Sequence, residues 1–555
     1  PTQNVLNYEY YYNGAGLAVG DFNGDDLPDI YFVSNIEPNA LYLNEGDFSF
    51  RDISQESGTK GKRGFYTGVT IVDINHDGLW DLYVCKSGRF DQADLRRNEL
   101  YVNQGVNDQG IPIFKESARE YGLDIEAYST QASFFDYDKD GDLDLFLINH
   151  GIDTYAYEDI SELESSQDGL AGAMLFQNQD DQFTNVTEAA GLENNRLGFG
   201  LGLAVGDLNQ DNWPDVYVSN DYMGKDHLYI NQKNGTFQEK IAELTGHTSF
   251  YSMGNDYADV NNDGWEDIIN LDMVAQDNYG IKTSMSAMNP AQFDQLVSEG
   301  QHRQYMYNTL LLNNGSIHAD SLPHFSDIAK MGGLGSTDWS WAPLLFDFDN
   351  DGWRDLFITN GIKRNIRNND AVKKVGQLRE FLSQIINQQE KSRLIQKMLN
   401  TFPYHRKPNY FFRNTHDLSF ENLNETLGID SMPTASNGAA YADLDLDGDL
   451  DLIINNVDQP AFLYRNNSRE NQEGNYLQVL ANGPDQNLRG IGLQVFIMHE
   501  GQMKRGALYP SRGYMSSVDP MIHFGLGELS EIDTLWAVWP DGIVNLLEGL
   551  RVNQR

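Results

Sequence analysis

Seven nonapeptides of the form D-x-[DN]-x-D-x-x-x-D recur along this 555-residue chain, beginning at Asp21, Asp73, Asp136, Asp207, Asp259, Asp347 and Asp443. They read "DFNGDDLPD", "DINHDGLWD", "DYDKDGDLD", "DLNQDNWPD", "DVNNDGWED", "DFDNDGWRD" and "DLDLDGDLD". Like charges crowded at alternate positions of a tight turn aim their oxygens at one point and need a cation there. The third position supplies Asn23, Asn75, Asp138, Asn209, Asn261, Asp349 and Asp445. The fifth supplies Asp25, Asp77, Asp140, Asp211, Asp263, Asp351 and Asp447. A backbone carbonyl is expected from the seventh: Leu27, Leu79, Asp142, Trp213, Trp265, Trp353 and Asp449. Asp29, Asp81, Asp144, Asp215, Asp267, Asp355 and Asp451 close the shell at the ninth. Hard oxygen donors without His or Cys select Ca2+, and Mg2+ favours fewer protein ligands and more water. The expectation is about seven calcium ions, one per repeat. A single such stretch would be an ordinary solvated turn; seven in one frame are not.

The sixth position is Gly in five copies and Asp26 or Asn212 in the other two. All three residue types accept the left-handed backbone that a sharp turn needs. An EF-hand would require a Glu at position 12 and flanking helices. Here strands flank the loop. "GLAVGDF", "GVTIVDI" and "QASFFDY" lead in, while "DIYFVSN", "DLYVCKS" and "DLFLINH" lead out, rich in β-branched and aromatic residues. A third strand follows in each unit ("ALYLNEG", "ELYVNQG", "HLYINQK"), its Asn/Gly end marking a hairpin turn, and then a fourth such as "FSFRDISQESG". Variable spacing around a constant unit marks a repeat architecture. Four antiparallel strands in each of seven units predict an all-β, seven-bladed β-propeller with helical insertions.

The formal charge is −43, which excludes nucleic acid as a partner, since phosphates need Lys and Arg. A lone cysteine, Cys85, rules out an internal disulfide and argues against thiolate zinc. No apolar run reaches transmembrane length, and no signal peptide is visible. The chain opens at Pro1, so a leader or a lipid anchor upstream of Pro1 is compatible with it.

These loops and strands resemble the FG-GAP/VCBS calcium-binding propellers, a family that includes integrin α-subunit heads, over residues 1–468. "RGIGLQVFI", "SRGYMSSVDPMIHFGLGE" and "IDTLWAVWPDGIVNLLEGLRVNQ" resemble the ASPIC/UnbV domain, a small C-terminal β domain expected over 469–555. The pair is similar to the cartilage-acidic-protein-like family. That resemblance implies an extracellular or cell-surface protein, of the outer-membrane lipoprotein type in Bacteroidota. Only three strands of the seventh unit are evident, and a strand near Asn4–Tyr11 is one candidate to complete it.

Long insertions fall between the second and third strands, at 151–173, 273–307 and 361–408. They therefore emerge opposite the Asp loops. The loops entering each first strand emerge there too, with Phe65, Tyr66, Tyr128, Phe199, Phe250, Tyr251, Trp339 and Trp341. Either these aromatics form a working face or they pack beneath the insertions. The insertion from Lys363 to Lys407 has 11 Lys/Arg against 3 Asp/Glu and a helical apolar rhythm through Val375, Leu378, Leu382, Leu394 and Met398. It reads as two helices or one broken helix, lying on its own acidic propeller or docking an acidic partner or membrane headgroups. "MSAMNPAQFDQLVSEG" reads as a shorter helical insert whose Met residues pack or meet a partner.

Nucleophile, paired acid–base and His-cluster signatures are absent. His150 is the best catalytic candidate, and His523 in "HFGLG" reads as structural. The leading expectation is a non-enzymatic, calcium-stabilised, surface-exposed scaffold or recognition subunit. Its partner would be a protein or glycan, within an outer-membrane complex for nutrient uptake or assembly. The alternatives are a polysaccharide lyase built on Tyr128, His150 and Lys86, or an integrin-like adhesin.

Overall fold

A computed structural model describes residues 3–152, 160–167, 169–284, 290–316, 322–471, 473–484 and 486–555. The chain is mostly β and is divided among many small sheets. Seven of them share one plan. The first holds Leu17–Gly20, Asp29–Phe32, Ala40–Asn44 and Phe50–Asp52, in that order and antiparallel throughout. The next five repeat this order with four strands each, and the seventh has three: Ser436–Ala442, Asp451–Asn456 and Phe462–Tyr464.

Register is constant across the set. The ninth loop residue always faces the last residue of the first strand, as in Gly20↔Asp29, Val72↔Asp81, Gly206↔Asp215 and Ala442↔Asp451. The Asp motif thus fixes the hairpin at every copy. Each first strand packs against the first strand of the following sheet, and the seventh returns to the first, so these strands form a ring. Their side chains are almost wholly buried, for example in Phe65–Val72 and Ser340–Phe346.

The segment Asn4–Tyr12 is not a strand of the seventh sheet. It forms a turn and a 3-10 helix, Glu9–Tyr12, with Tyr8, Tyr10 and Tyr12 buried. Tyrosine-rich and short, it fills an apolar space instead of extending a sheet edge.

The C-terminal region builds a four-stranded sheet, with Gln502–Ala507 at one edge and Val544–Arg551 at the other. The pair Asn475–Val479 and Ile522–Gly527 completes it over a separate core that includes Leu493, Val495, Phe524 and Ile532. One hairpin leaves this body. Ser511–Arg512 and Ser516–Ser517 pair with each other, and Ser517 lies parallel to Ala18 of the first sheet.

That hairpin enters the ring. The Met515 carbonyl accepts from Val69 N at 3.0 Å, and Ser511 Oγ donates to the Ala132 carbonyl at 2.9 Å. Arg512 pairs with Asp256 at 2.5 Å, and the Tyr514 ring lies 5.3 Å from that of Trp341. Gly438 and Gly254 have no room for a Cβ, because Ser516 Oγ and the Gly513 carbonyl respectively would lie within 3 Å of it. The ring is therefore occupied along its axis by this segment.

The basic insertion forms Asn369–Arg379 and Gln388–Leu399 with a 3-10 turn, Leu382–Gln384, between them, as two helices rather than one. Ala371, Val375, Met398 and Phe402 make a small core, with Leu6 and Ile366 packed against it. The insertion thus lies on its own chain. The shorter insertion forms Asn278–Ser284 and Pro290–Ser298. Met285 and Met288 of its proposed partner surface lie outside the described residues, as does most of 151–159. No helix among the described residues is long and apolar enough to cross a membrane.

Candidate functional site

The seven Asp loops are alike in backbone. Position 6 is left-handed in every copy, including Asp26 at φ 73° and Asn212 at φ 65°. Position 4 is left-handed too, at Gly24, His76, Lys139, Gln210, Asn262, Asn350 and Leu446. Two left-handed residues curl the backbone so that its N–H groups point inward. The position-1 carboxylate collects them. Asp21 accepts from Gly24, Asp25 and Asp26, and Asp259 accepts from Asp263 and Gly264.

The ninth position does more than close a metal shell. Asp29 accepts from Phe22 N through one oxygen and from Asn44 N through the other, at 3.1 and 2.8 Å. The same pair of bonds recurs at Asp81, Asp144, Asp215, Asp267, Asp355 and Asp451. A carboxylate has about four lone-pair sites, so stapling leaves capacity for a cation.

The donor Asn is the functional residue that pattern reading passes over. From sequence, the Asn ending each third strand is a turn residue. In six of the seven units its amide also reaches the preceding sheet, while Asn178 donates to Leu143 of its own loop. Asn103 donates to the Phe22 carbonyl at 2.9 Å, Asn313 to Leu208 at 2.9 Å and Asn466 to Phe348 at 2.6 Å. Asn44 donates to Leu444 at 2.9 Å, closing the set from first to seventh. Its recurrence at one offset in every unit is the available signal, since a turn alone would accept Gly or Asp there.

The loops divide by their third residue. Where it is Asn, its amide donates to the position-5 carboxylate in three of four copies: Asn23 to Asp25, Asn75 to Asp77 and Asn261 to Asp263. Where it is Asp, carboxylates converge. Asp136, Asp138 and Asp144 offer oxygens within 4.8 Å of one another, as do Asp347, Asp349 and Asp351, and Asp443, Asp445 and Asp451. Burial pushes Asp136 and Asp347 up to about 7 and Asp443 to about 6.

Several of these oxygens have no hydrogen-bond donor among the described residues. They are the Oδ1 atoms of Asp136, Asp138 and Asp142 in the third loop and of Asp445 and Asp449 in the seventh. A buried, unpaired carboxylate oxygen is costly unless a proton or cation meets it. An all-oxygen set with orphaned buried atoms fits calcium. The ion would supply charge neutralisation and tie position 1 to position 9.

The C-terminal region lies over these loops. Gln478 Nε2 donates to Asp443 Oδ2 at 2.7 Å and Gln494 Nε2 to Asp207 Oδ2 at 3.1 Å. Arg505 donates to the Asp207 carbonyl at 3.2 Å. His523 Nε2 meets Asn350 Oδ1 at 2.7 Å, and burial depresses its pKa to about 3, as its structural reading requires.

The opposite end differs from the expected working face. Phe65, Tyr66, Tyr128, Phe199, Trp339 and Trp341 are buried, while Phe250 and Tyr251 are partly so. Phe65 and Phe199 pack against Tyr8, Tyr10 and Tyr11 of the N-terminal segment, whereas Tyr66 bonds to Glu99 and Trp341 packs on Tyr514 of the C-terminal hairpin. His150 is buried, its Nε2 meeting Tyr8 OH at 3.0 Å and Ser87 Oγ at 2.7 Å, and desolvation lowers its pKa to about 4. Lys86 is buried too and pairs with Glu99 at 3.0 Å. All three residues of the lyase alternative, Tyr128, His150 and Lys86, are thus buried. A cavity of about 810 Å3 lies between the N-terminal segment and the helix Asn369–Arg379.

Two known families match three stretches of the chain. The FG-GAP-like repeat matches residues 11–84 and 207–269, and ASPIC and UnbV matches 483–555. The chain joins FG-GAP-like repeats to an ASPIC/UnbV domain. Cartilage acidic protein 1 of Xenopus tropicalis is 23% identical over 561 residues, covering 98% of this chain and 73% of that protein. The Homo sapiens protein of the same name is 22% identical over 569 residues, covering 98% and 70%. Among solved structures, the exotype rhamnogalacturonan lyase YesX aligns at 11% identity over 82% of this chain and 72% of the lyase, with a TM-score of 0.29. A likeness that low carries no argument about activity. The FG-GAP matches include the first, second, fourth and fifth Asp loops, and the UnbV match contains the hairpin that enters the ring.

Proposed function

We propose that the protein is a calcium-braced, seven-bladed β-propeller over 1–468 whose UnbV-like domain, 469–555, caps one end, and that it acts as a non-catalytic recognition or scaffold subunit. The observation that carries this reading is the occupation of the axis from both sides. The UnbV hairpin fills it from the loop end, and Tyr8 and Tyr10 fill it from the other, where Tyr10 OH donates to Asp221 at 2.9 Å. That arrangement favours a non-catalytic role over a channel-mouth active site. The insertion end, with its basic helices and open cavity, is then the surface on which a protein or glycan is recognised. By its resemblance the protein would work at the cell surface, in an outer-membrane complex, but fold analogy is weak support for function.

The experiment is a mild, calcium-retaining affinity purification from native membranes, with mass spectrometry of what co-purifies. A stoichiometric membrane transporter or assembly protein supports the scaffold role. A lone monomer, together with turnover of an acidic polysaccharide, would overturn it.

A further inference from the structure

The cavity beside the helix Asn369–Arg379 has a composition unlike the rest of the molecule. Leu6, Ile366, Val375 and Phe402 give it an apolar side. Arg89, Arg367 and Arg379 also line it, against one carboxylate among the described residues, Glu9. In a chain of net charge −43 this is a local reversal of sign.

The cations are differently held. Arg367 is fixed, reaching Glu9 at 3.1 Å and Tyr222 OH at 3.3 Å, with its guanidinium near the faces of the Tyr222 and Tyr251 rings. Arg379, at the end of the helix, is exposed and forms no ion pair among the described residues. A fixed guanidinium and a free one lining the same cavity suit an acid that docks by charge-assisted hydrogen bonds.

Gly376 is an independent pointer. It lies in the helix interior, where Gly is unfavourable, and it lines the cavity. A Cβ built there meets nothing within 4 Å. Neither a left-handed backbone nor a close packing contact requires this glycine. Its one evident consequence is free space on the cavity side of the helix.

We propose that this cavity binds a small amphipathic carboxylate, with its apolar body along Leu6, Ile366, Val375 and Phe402 and its acid group at Arg367 and Arg379. The volume lies within the range of pockets that enclose small ligands, and such pockets pair apolar walls with a few placed polar groups. The inference rests on the insertion end being the recognising end.

The test uses the whole chain with calcium. The fluorescent anion 8-anilinonaphthalene-1-sulfonate is titrated in, then displaced by decanoate or by decanol. Saturable binding displaced by decanoate and not by decanol is expected. Gly376→Phe should abolish it without lowering the melting temperature, because the new side chain enters empty space. Arg379→Glu, on an exposed position, should weaken decanoate about tenfold or more. Unchanged probe binding in Gly376→Phe, or equal displacement by decanol, would overturn the proposal. If Gly376→Phe folds poorly, Arg379→Glu decides alone, and an unaltered decanoate affinity sinks the idea. Partner capture is repeated with both variants. A partner retained by a chain that never bound decanoate removes the cavity's ligand and leaves the recognition reading standing.

Discussion

At the loop end of the ring, one local solution is used seven times; at the insertion end, no two units agree. Each Asp loop has the same two left-handed positions and the same ninth-position staple, and in six of seven units the same Asn reaches the preceding sheet. The insertion end joins a tyrosine-rich N-terminal turn, two short helices and a basic helical pair through contacts that occur once each. Repetition at the first end means that the same backbone groups find the same kind of partner in every unit. Irregularity at the second leaves exposed side chains and a cavity. The regular end suits stability and the irregular end suits the proposed recognition, and experiments can separate them.

Calcium removal should have the largest effect, confined in origin to the loop end. A cation held at a hundredfold excess over its dissociation constant contributes about 2.7 kcal/mol per site. Proton linkage gives the effect a sign. Burial lifts the Asp29, Asp81 and Asp451 carboxyls to about 8, whereas unfolded Asp titrates near about 3.9. The calcium-free fold thus holds protons that the unfolded chain has released. Its stability is fullest below about pH 4 and declines as pH rises toward about 8. The gain from calcium should grow over the same window, because the ion replaces those protons. Melting curves in chelator and in calcium at pH 5 to 8 check this, and calcium-free stability that rises with pH would refute it. Asp140→Ala should lower the calcium stoichiometry by one and leave ligand binding at the far end intact.

Next in size is Arg512→Ala. It leaves Asp256 buried with its pairing charge removed, although Leu345 N still donates to it. Breaking a buried pair by deleting one partner costs about 3–5 kcal/mol. The loss should appear as earlier release of the UnbV hairpin in limited proteolysis. Arg512→Met combined with Asp256→Asn should recover much of it, since no charge is then left unpaired. Equal proteolysis of both variants would mean that the ion pair does not hold the hairpin.

Asn313→Ala is smaller and tests the repeat itself. It removes bonds to the Leu208 and Glu266 carbonyls and the acceptor for Gly315 N. Each buried group left unsatisfied costs about 1–3 kcal/mol. Chemical denaturation should show a loss of that order, with calcium stoichiometry unchanged. A matching loss on Asn103→Ala would confirm that the staple, not its position, matters.

How much of this was legible follows the same division. The Asp motif declares its loop, its flanking strands and its register, because one spacing serves hairpin closure and the proposed chelation together. The basic insertion declares helices through its apolar rhythm from Val375 to Met398. The UnbV tail was legible as a domain but not as an occupant of the ring. Nothing in "SRGYMSSVDPM" says that Arg512 will meet Asp256, because that pairing depends on a cavity built by other sheets. Likewise Trp341 and His150 are placed by topology at the expected end, but Trp341 is covered by Tyr514 and His150 by Tyr8 and Tyr10, and no periodicity predicts the path of either covering segment. Local chemistry was readable wherever it repeats, and long-range docking was not.

The smallest expected effect tests whether the insertion end is separable from stability. Ile386 lies between the two basic helices and is fully exposed, at 101% of its reference surface. It touches neither the Ala371–Phe402 core nor the cavity lining. Ile386→Ser should change stability by no more than about 0.5 kcal/mol, as surface positions do. Decanoate affinity should be unaltered as well. Should this variant nonetheless lose the captured partner, Ile386 marks the protein-binding edge of the basic helices, and the insertion end divides into a macromolecular rim and a small-ligand floor. Should it destabilise the chain measurably, the helical pair packs more tightly against its neighbours than one fully exposed Ile allows, and the contrast between the two ends would narrow.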